Sequence, residues 1–278
     1  GLFFSLAGIL LRNIETATSW QIVFYRSASF VVVIAWVLAA RHHSRLPRAF
    51  AAIGWAGVVG GLCLAAGYVA MVLAMLNTTI ANVLFIFASA PFFAALLGRL
   101  ILKELVPRRT WAVIAVALAG VAVMVVEGLS GGGLFGNLMA LVMTLTFAAV
   151  VVVLRRGRAV DMLPTVCLGG IVAGAVAALL ADSLAISLHD LVVCVLLGTV
   201  QIGCGMIAFT IGSRHVPAAL LGLLAMTEVA LGPIWVWLGV GEVPSWLTLA
   251  GGAVVLSAVV TQAVWALRGK LPAVAAPA

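Results

Sequence analysis

The chain has 278 residues, 65% of them apolar and only 8% charged, and its mean hydropathy of +1.30 excludes a water-soluble domain, whose surface needs far more charge. Its formal charge of +7 does not point to nucleic acid, because the basic residues sit in short connections between apolar runs without interleaved aromatics. The composition is that of an all-α integral membrane protein that crosses the bilayer many times.

A helical span needs about 20 apolar residues to cross roughly 30 Å of hydrocarbon. Cutting the sequence where charge, Pro or clustered Gly interrupt such runs predicts ten spans: 1–11, 20–40, 51–76, 80–102, 111–126, 137–154, 162–181, 191–212, 218–240 and 246–267. The first is short for a span, and no basic region precedes it, so no cleaved signal is expected. Gly54, Gly57, Gly60 and Gly61 in the third span, with Gly170 and Gly174 in the seventh, allow close helix packing where lipid offers no hydrophobic drive. The stretch 127–136, EGLSGGGLFG, reads as a joint that neither spans nor packs. Cys63, Cys167, Cys194 and Cys204 lie inside spans without metal or redox spacing, so no metal and no other cofactor is expected.

The charges order these spans. Twelve of the fifteen Lys and Arg fall in the connections 41–48, 103–109, 155–161 and 213–217 and in the tail with Arg268 and Lys270. The alternate connections hold Arg12 as their one basic residue, against Glu15, Glu127, Asp182, Asp190 and Glu242. By the positive-inside rule both termini are cytoplasmic. A shift of the chain by 138 residues lays the spans on one another, aligning Glu104 with Glu242 and Thr110 with Thr248. Five spans per half then give two copies facing opposite ways, residues 1–130 and 131–270, with 271–278 as a flexible tail. Inverted repeats of this kind characterise secondary transporters.

Each half ends in a span, a Glu, a Pro-containing turn and a last span: APFFAALLGRLILKELVP (90–107) and EVALGPIWVWLGVGEVP (228–244). With Arg26 early in the second span, this pattern resembles the EamA-type repeats of the drug/metabolite transporter superfamily over essentially the whole chain. Its branch of bacterial exporters of aromatic and other amino acids is the most similar in length and span count. One departure is that the position of Pro91 is Val229 in the second copy, with Pro233 four residues later, which displaces the bend of the ninth helix. The resemblance implies a multi-pass protein of the bacterial inner membrane that moves a small-molecule substrate outwards and works as a monomer in the lipid bilayer.

Ionisable groups at membrane depth cost about 2.5–3.5 kcal/mol each on insertion scales, so those present need a reason. Glu228, at the middle of the ninth span, either faces the cavity and meets a substrate ammonium or binds and releases a proton, or else locks two helices together as a protonated or paired acid. Arg26, roughly 9 Å into the second span, either pairs with Glu15 or helix-end carbonyls or serves as counter-ion to a substrate carboxylate. In the second case it and Glu228 would clamp both ends of a zwitterion. Candidate cavity faces follow helical spacing: Asn82, Phe85 and Ser89 with Asn77 at the mouth, Tyr68, Met71 and Met75, then Gln201 and Cys204, then Glu228, Leu231 and Trp235, with Asn137 and Thr144 on the sixth span. A stripe of Met and aromatics is more often packing than pocket, which leaves most weight on the hydrogen-bonding members.

No phosphate-binding glycine loop is present, and the four His residues all sit in connections, so neither an ATP-driven pump nor an enzyme is expected. A carrier of nucleotide sugars would call for several Lys or Arg at depth. A multidrug exporter of aromatic cations stays open beside the amino-acid exporter, because one Glu and a Trp serve either cargo.

Overall fold

The computed structural model describes residues 1–42, 46–103, 106–131, 133–157, 162–208 and 218–268, and among these the chain is wholly helical. In chain order the helices are α1 (Leu2–Arg12), α2 (Ser19–His42), α3 (Leu46–Ala51), α4 (Gly54–Asn77), α5 (Ile80–Ala88), α6 (Ala90–Ile101), α7 (Arg108–Gly131), α8 (Leu134–Gly157), α9 (Met162–Leu180), α10 (Leu188–Leu196), α11 (Ala218–Val240) and α12 (Trp246–Arg268). Between α10 and residue 208 the chain widens into a π-helix, Leu197–Cys204. Eight helices are long and apolar enough to cross a membrane, and two shorter apolar ones are Leu2–Arg12 and Thr227–Val240. The chain is thus a multi-pass membrane protein.

Departures from the expected spans have local causes. The fourth is two helices rather than one, since Pro91 has no N–H for the carbonyl a turn earlier; Ser89, at φ −77° and ψ −5°, ends α5 and α6 starts at Ala90. Pro233, by contrast, lies inside an unbroken α11. The third span begins at Gly54, whose φ of +56° follows the short helix α3. The stretch 127–136 corrects the expectation of an unpacked joint. α7 runs on to Gly131, α8 starts at Leu134, and Gly136 lies against the backbone of Asn77, where a Cβ would stand 2.6 Å from the carbonyl carbon. Residues 158–161, 213–217 and 271–278, which carry parts of the basic connections and the tail, and Glu104 lie outside the described residues.

Most packing runs between the first five expected spans and the last five. α4 lies along α8 and α9, α2 along α9 and the π-helix, α1 along α11 and α7 along α12. The pairings come in exchanged sets: α4 with α8 has its counterpart in α1 with the π-helix, and α1 with α11 in α5 and α6 with α8. The buried core is built of small and branched side chains such as Ile22, Val72, Ala74, Ile80, Ala117 and Val229, while Trp36, Trp55, Leu179 and Trp246 are exposed, as suits a surface in lipid and its interface.

Candidate functional site

At one end of the bundle the acid-bearing connections come together and satisfy one another. Arg12 Nε donates to Glu242 Oε2 at 2.7 Å and Arg12 Nη2 to the Thr78 carbonyl at 2.8 Å, while Glu242 Oε1 accepts from Ile80 N at 2.7 Å, the first turn of α5. Asp190 accepts from the backbone N–H groups of Glu15, Thr16 and Ala17 and from the Thr16 hydroxyl, at 2.7–3.0 Å. Gln21 Nε2 and Tyr25 OH donate to carbonyls of Ser183, Ala185 and Leu184.

Just inside this end lies a buried polar cluster. Asn137 Oδ1 accepts from Thr78 Oγ1 at 2.8 Å and from Asn82 Nδ2 at 3.1 Å, and its Nδ2 donates to the Met124 carbonyl at 2.9 Å. Thr248 Oγ1 donates to Asn82 Oδ1 at 2.9 Å, with Glu127 Oε2 at 3.1 Å. Two of the expected cavity residues, Asn82 and Asn137, therefore spend their hydrogen-bonding groups on each other and on α4, α7 and α12. Asn77, exposed, donates to the Leu73 carbonyl in its own helix. Thr144 and Ser89, both fully buried, likewise bond to carbonyls within their own chain segments, and Met75 and Phe85 belong to the apolar core, with Phe85 filling the space above Gly252.

The middle of the bundle is different. Arg26, 2% exposed, stacks its guanidinium over the Tyr68 ring at 5.6 Å from the centroid and points Nη2 at the sulfur of Met71, 3.4 Å away, a weak acceptor. Its Nε has no hydrogen-bond partner, and among the described residues no carboxylate pairs with it. The expected pairing with Glu15 or helix-end carbonyls is thereby corrected: Glu15 is exposed at the end of the bundle, where its backbone N–H donates to Asp190, and the Arg26 guanidinium turns to Met71 and Tyr68 instead. Tyr68 is held in turn by an edge-on contact with Phe30, 5.9 Å between centroids.

The π-helix closes this region. Gly198 lets it approach α2 so nearly that a Cβ there would overlap Ser29 Oγ and the Arg26 carbonyl. Ile202 then joins Ser27, Phe30 and Tyr68 around the guanidinium, in a crevice too narrow for a water molecule. Gln201, 3% exposed, reaches the Phe4 carbonyl at 3.5 Å with Nε2 and leaves Oε1 without a partner. On the far side of α1, Trp235 Nε1 donates to Ser5 Oγ at 3.0 Å, and Glu228, two turns earlier on α11 and partly buried, has no hydrogen bond or ion pair among the described residues. The structure thus brings Arg26, Tyr68 and Met71 together beside the π-helix that carries Gln201, and sets Glu228 and Trp235 across α1 from it. Sequence reading missed Ser27, Phe30 and Ile202 as neighbours of the arginine. Their only signal was the Arg itself, which no acid in the same span could neutralise.

Residues 1–126 match the model of the EamA-like transporter family, whose members are membrane transporters of small molecules. One solved crystal structure aligns over 97% of this chain and 96% of its own length at 18% identity, with a TM-score of 0.65, a likeness that shows the fold alone. No curated protein is similar enough to count as a match.

Proposed function

We propose, from the match of residues 1–126 to the EamA-like transporter family, that the whole chain is a secondary exporter of small metabolites carrying a carboxylate, with amino acids, aromatic ones included, as the favoured class. The observation that carries this reading is the buried guanidinium of Arg26, which no acid among the described residues neutralises. A charge held in a low-dielectric interior without a partner is costly, and a substrate carboxylate would supply the missing partner through charge-assisted hydrogen bonds. Tyr68 and Phe30 beside it offer aromatic faces to an apolar side chain. Glu228 then takes the ammonium end, and Trp235 and Gln201 line the route between them.

In this proposal the two shorter apolar helices bring the spans to ten, in two inverted halves at 1–130 and 131–270, and both termini lie in the cytoplasm of a bacterial inner membrane; the exchanged packing pairs support the inverted halves. The crevice at Arg26 is closed, so cargo enters only when the helices of one half move against the other, alternating the access of a central cavity. A buried, unpaired Arg disfavours an aromatic cation as cargo. Arg99 is exposed, so Arg26 is the one deeply buried basic residue described, fewer than a nucleotide sugar with two phosphates calls for.

The test is transport in proteoliposomes with labelled amino acids, nucleotide sugars and an aromatic cation, each with and without a pH gradient. Movement of amino acids, abolished in Arg26→Gln, is the expected result. Failure to move any amino acid overturns the reading.

A further inference from the structure

α7 and α12 run antiparallel and touch most closely where Gly120 meets Gly251, the site at which an added Cβ would stand 2.8 Å from the Gly251 carbonyl oxygen. Between that contact and the Thr110–Gln262 pair nearer the start of α7 lies an open groove of about 200 Å³ lined by Ala112, Val113, Val116, Ser257, Ala258 and Thr261. Twelve residues separate Gly120 from Arg108, about 18 Å of helix, close to the roughly 15 Å of hydrocarbon in one leaflet. The groove is therefore mostly apolar, open on its outer side, and lies on the half of α7 nearer Arg108, about one turn from the glycine contact.

Its shallow end is polar and positive. Arg108 and Arg109 stand exposed at the start of α7, one turn from Ala112 and Val113. Thr110 Oγ1 accepts from Gln262 Nε2 at 3.4 Å, and the buried Gln262 Oε1 has no hydrogen-bond partner. No described carboxylate lies at this end: Glu15, Glu127, Asp182, Asp190 and Glu242 are all at the other end of the bundle and Glu228 is in mid-helix. Two exposed arginines above a mostly apolar slot on the outer face of the bundle complement one kind of occupant.

We propose that this groove is a binding site for an anionic phospholipid. One acyl chain lies between α7 and α12 as far as Gly120, the phosphate meets Arg108 and Arg109, and a headgroup hydroxyl donates to Gln262 Oε1. Phosphatidylglycerol has the charge and the donor this requires. Each arginine near the membrane surface contributes about a factor of five in affinity for an anionic lipid, so two give a preference of roughly 30-fold over a zwitterionic one.

The experiment is native mass spectrometry of the full chain in detergent, titrated with phosphatidylglycerol, phosphatidylcholine or inorganic phosphate. We expect phosphatidylglycerol to be retained over phosphatidylcholine by that factor, the preference to vanish in the double variant Arg108→Gln/Arg109→Gln, and retention to fall in Val116→Trp, which fills the slot. Ala112→Phe, on the exposed wall, repeats the filling test where Val116→Trp does not fold. Equal retention of the two lipids, a preference that survives the double substitution or the filling of the slot, or displacement of the lipid by inorganic phosphate would each overturn the proposal.

Discussion

Two buried polar regions of this protein stand in contrast. The cluster of Thr78, Asn82, Asn137, Thr248 and Glu127 matches donors to acceptors, and the connections beside it are tied by the Arg12–Glu242 pair and by Asp190. Among the described residues the centre holds Arg26 Nε and Gln201 Oε1 without partners. Burying polar groups is tolerable when they are satisfied and costly when they are not. The first region therefore holds the bundle together, whereas in the proposed function the second keeps its groups for a substrate.

That contrast predicts that substitutions in the two regions separate function from stability. Arg26→Ala removes the proposed carboxylate contact and lowers transport by about a hundredfold, the size of a charge-assisted hydrogen bond or two, while thermal unfolding in detergent stays level or rises as a buried unpaired charge is lost. A parallel fall in unfolding temperature would make Arg26 a structural residue. Glu228→Gln keeps the shape, so about a tenfold loss of amino-acid transport with unchanged unfolding is expected; an unchanged rate and pH profile would place Glu228 among the helix-locking groups.

Asn137→Ala should behave in the opposite sense. It strands Thr78 Oγ1, Asn82 Nδ2 and the Met124 carbonyl, and at membrane-protein values per hydrogen bond the cost is about 2 kcal/mol of stability, read as a lowered unfolding temperature. Transport per folded molecule should be kept, and its collapse at full stability would erase the distinction drawn here. The smallest effect belongs to Arg12 and Glu242, whose side chains are 24% and 18% exposed. A double-mutant cycle with Arg12→Gln and Glu242→Gln is expected to give a coupling of about 1 kcal/mol, weakening as salt is added.

The multi-pass helical class was legible in composition, because a chain this apolar has no other way to satisfy its backbone in lipid. Alternating charge correctly grouped the connections, as the contacts of Arg12, Asp190 and Glu242 at one end attest. Polar residues were harder to assign. Asn82 and Arg26 look alike in sequence, each a lone polar group in an apolar run, and only the packing of other helices decides that Asn137 completes one while no acid reaches the other. The glycines of 127–136 misled for a related reason: they suggest slack, yet Gly136 is small because the backbone at Asn77 lies against it.

The π-helix has a consequence of its own. Such a segment carries about one residue more per turn than an α-helix. Deleting one residue within Leu197–Cys204 would restore the α-helical winding and turn everything after it by about 100°, taking Gly205 away from Phe4 and uncoupling one side of the segment from the other.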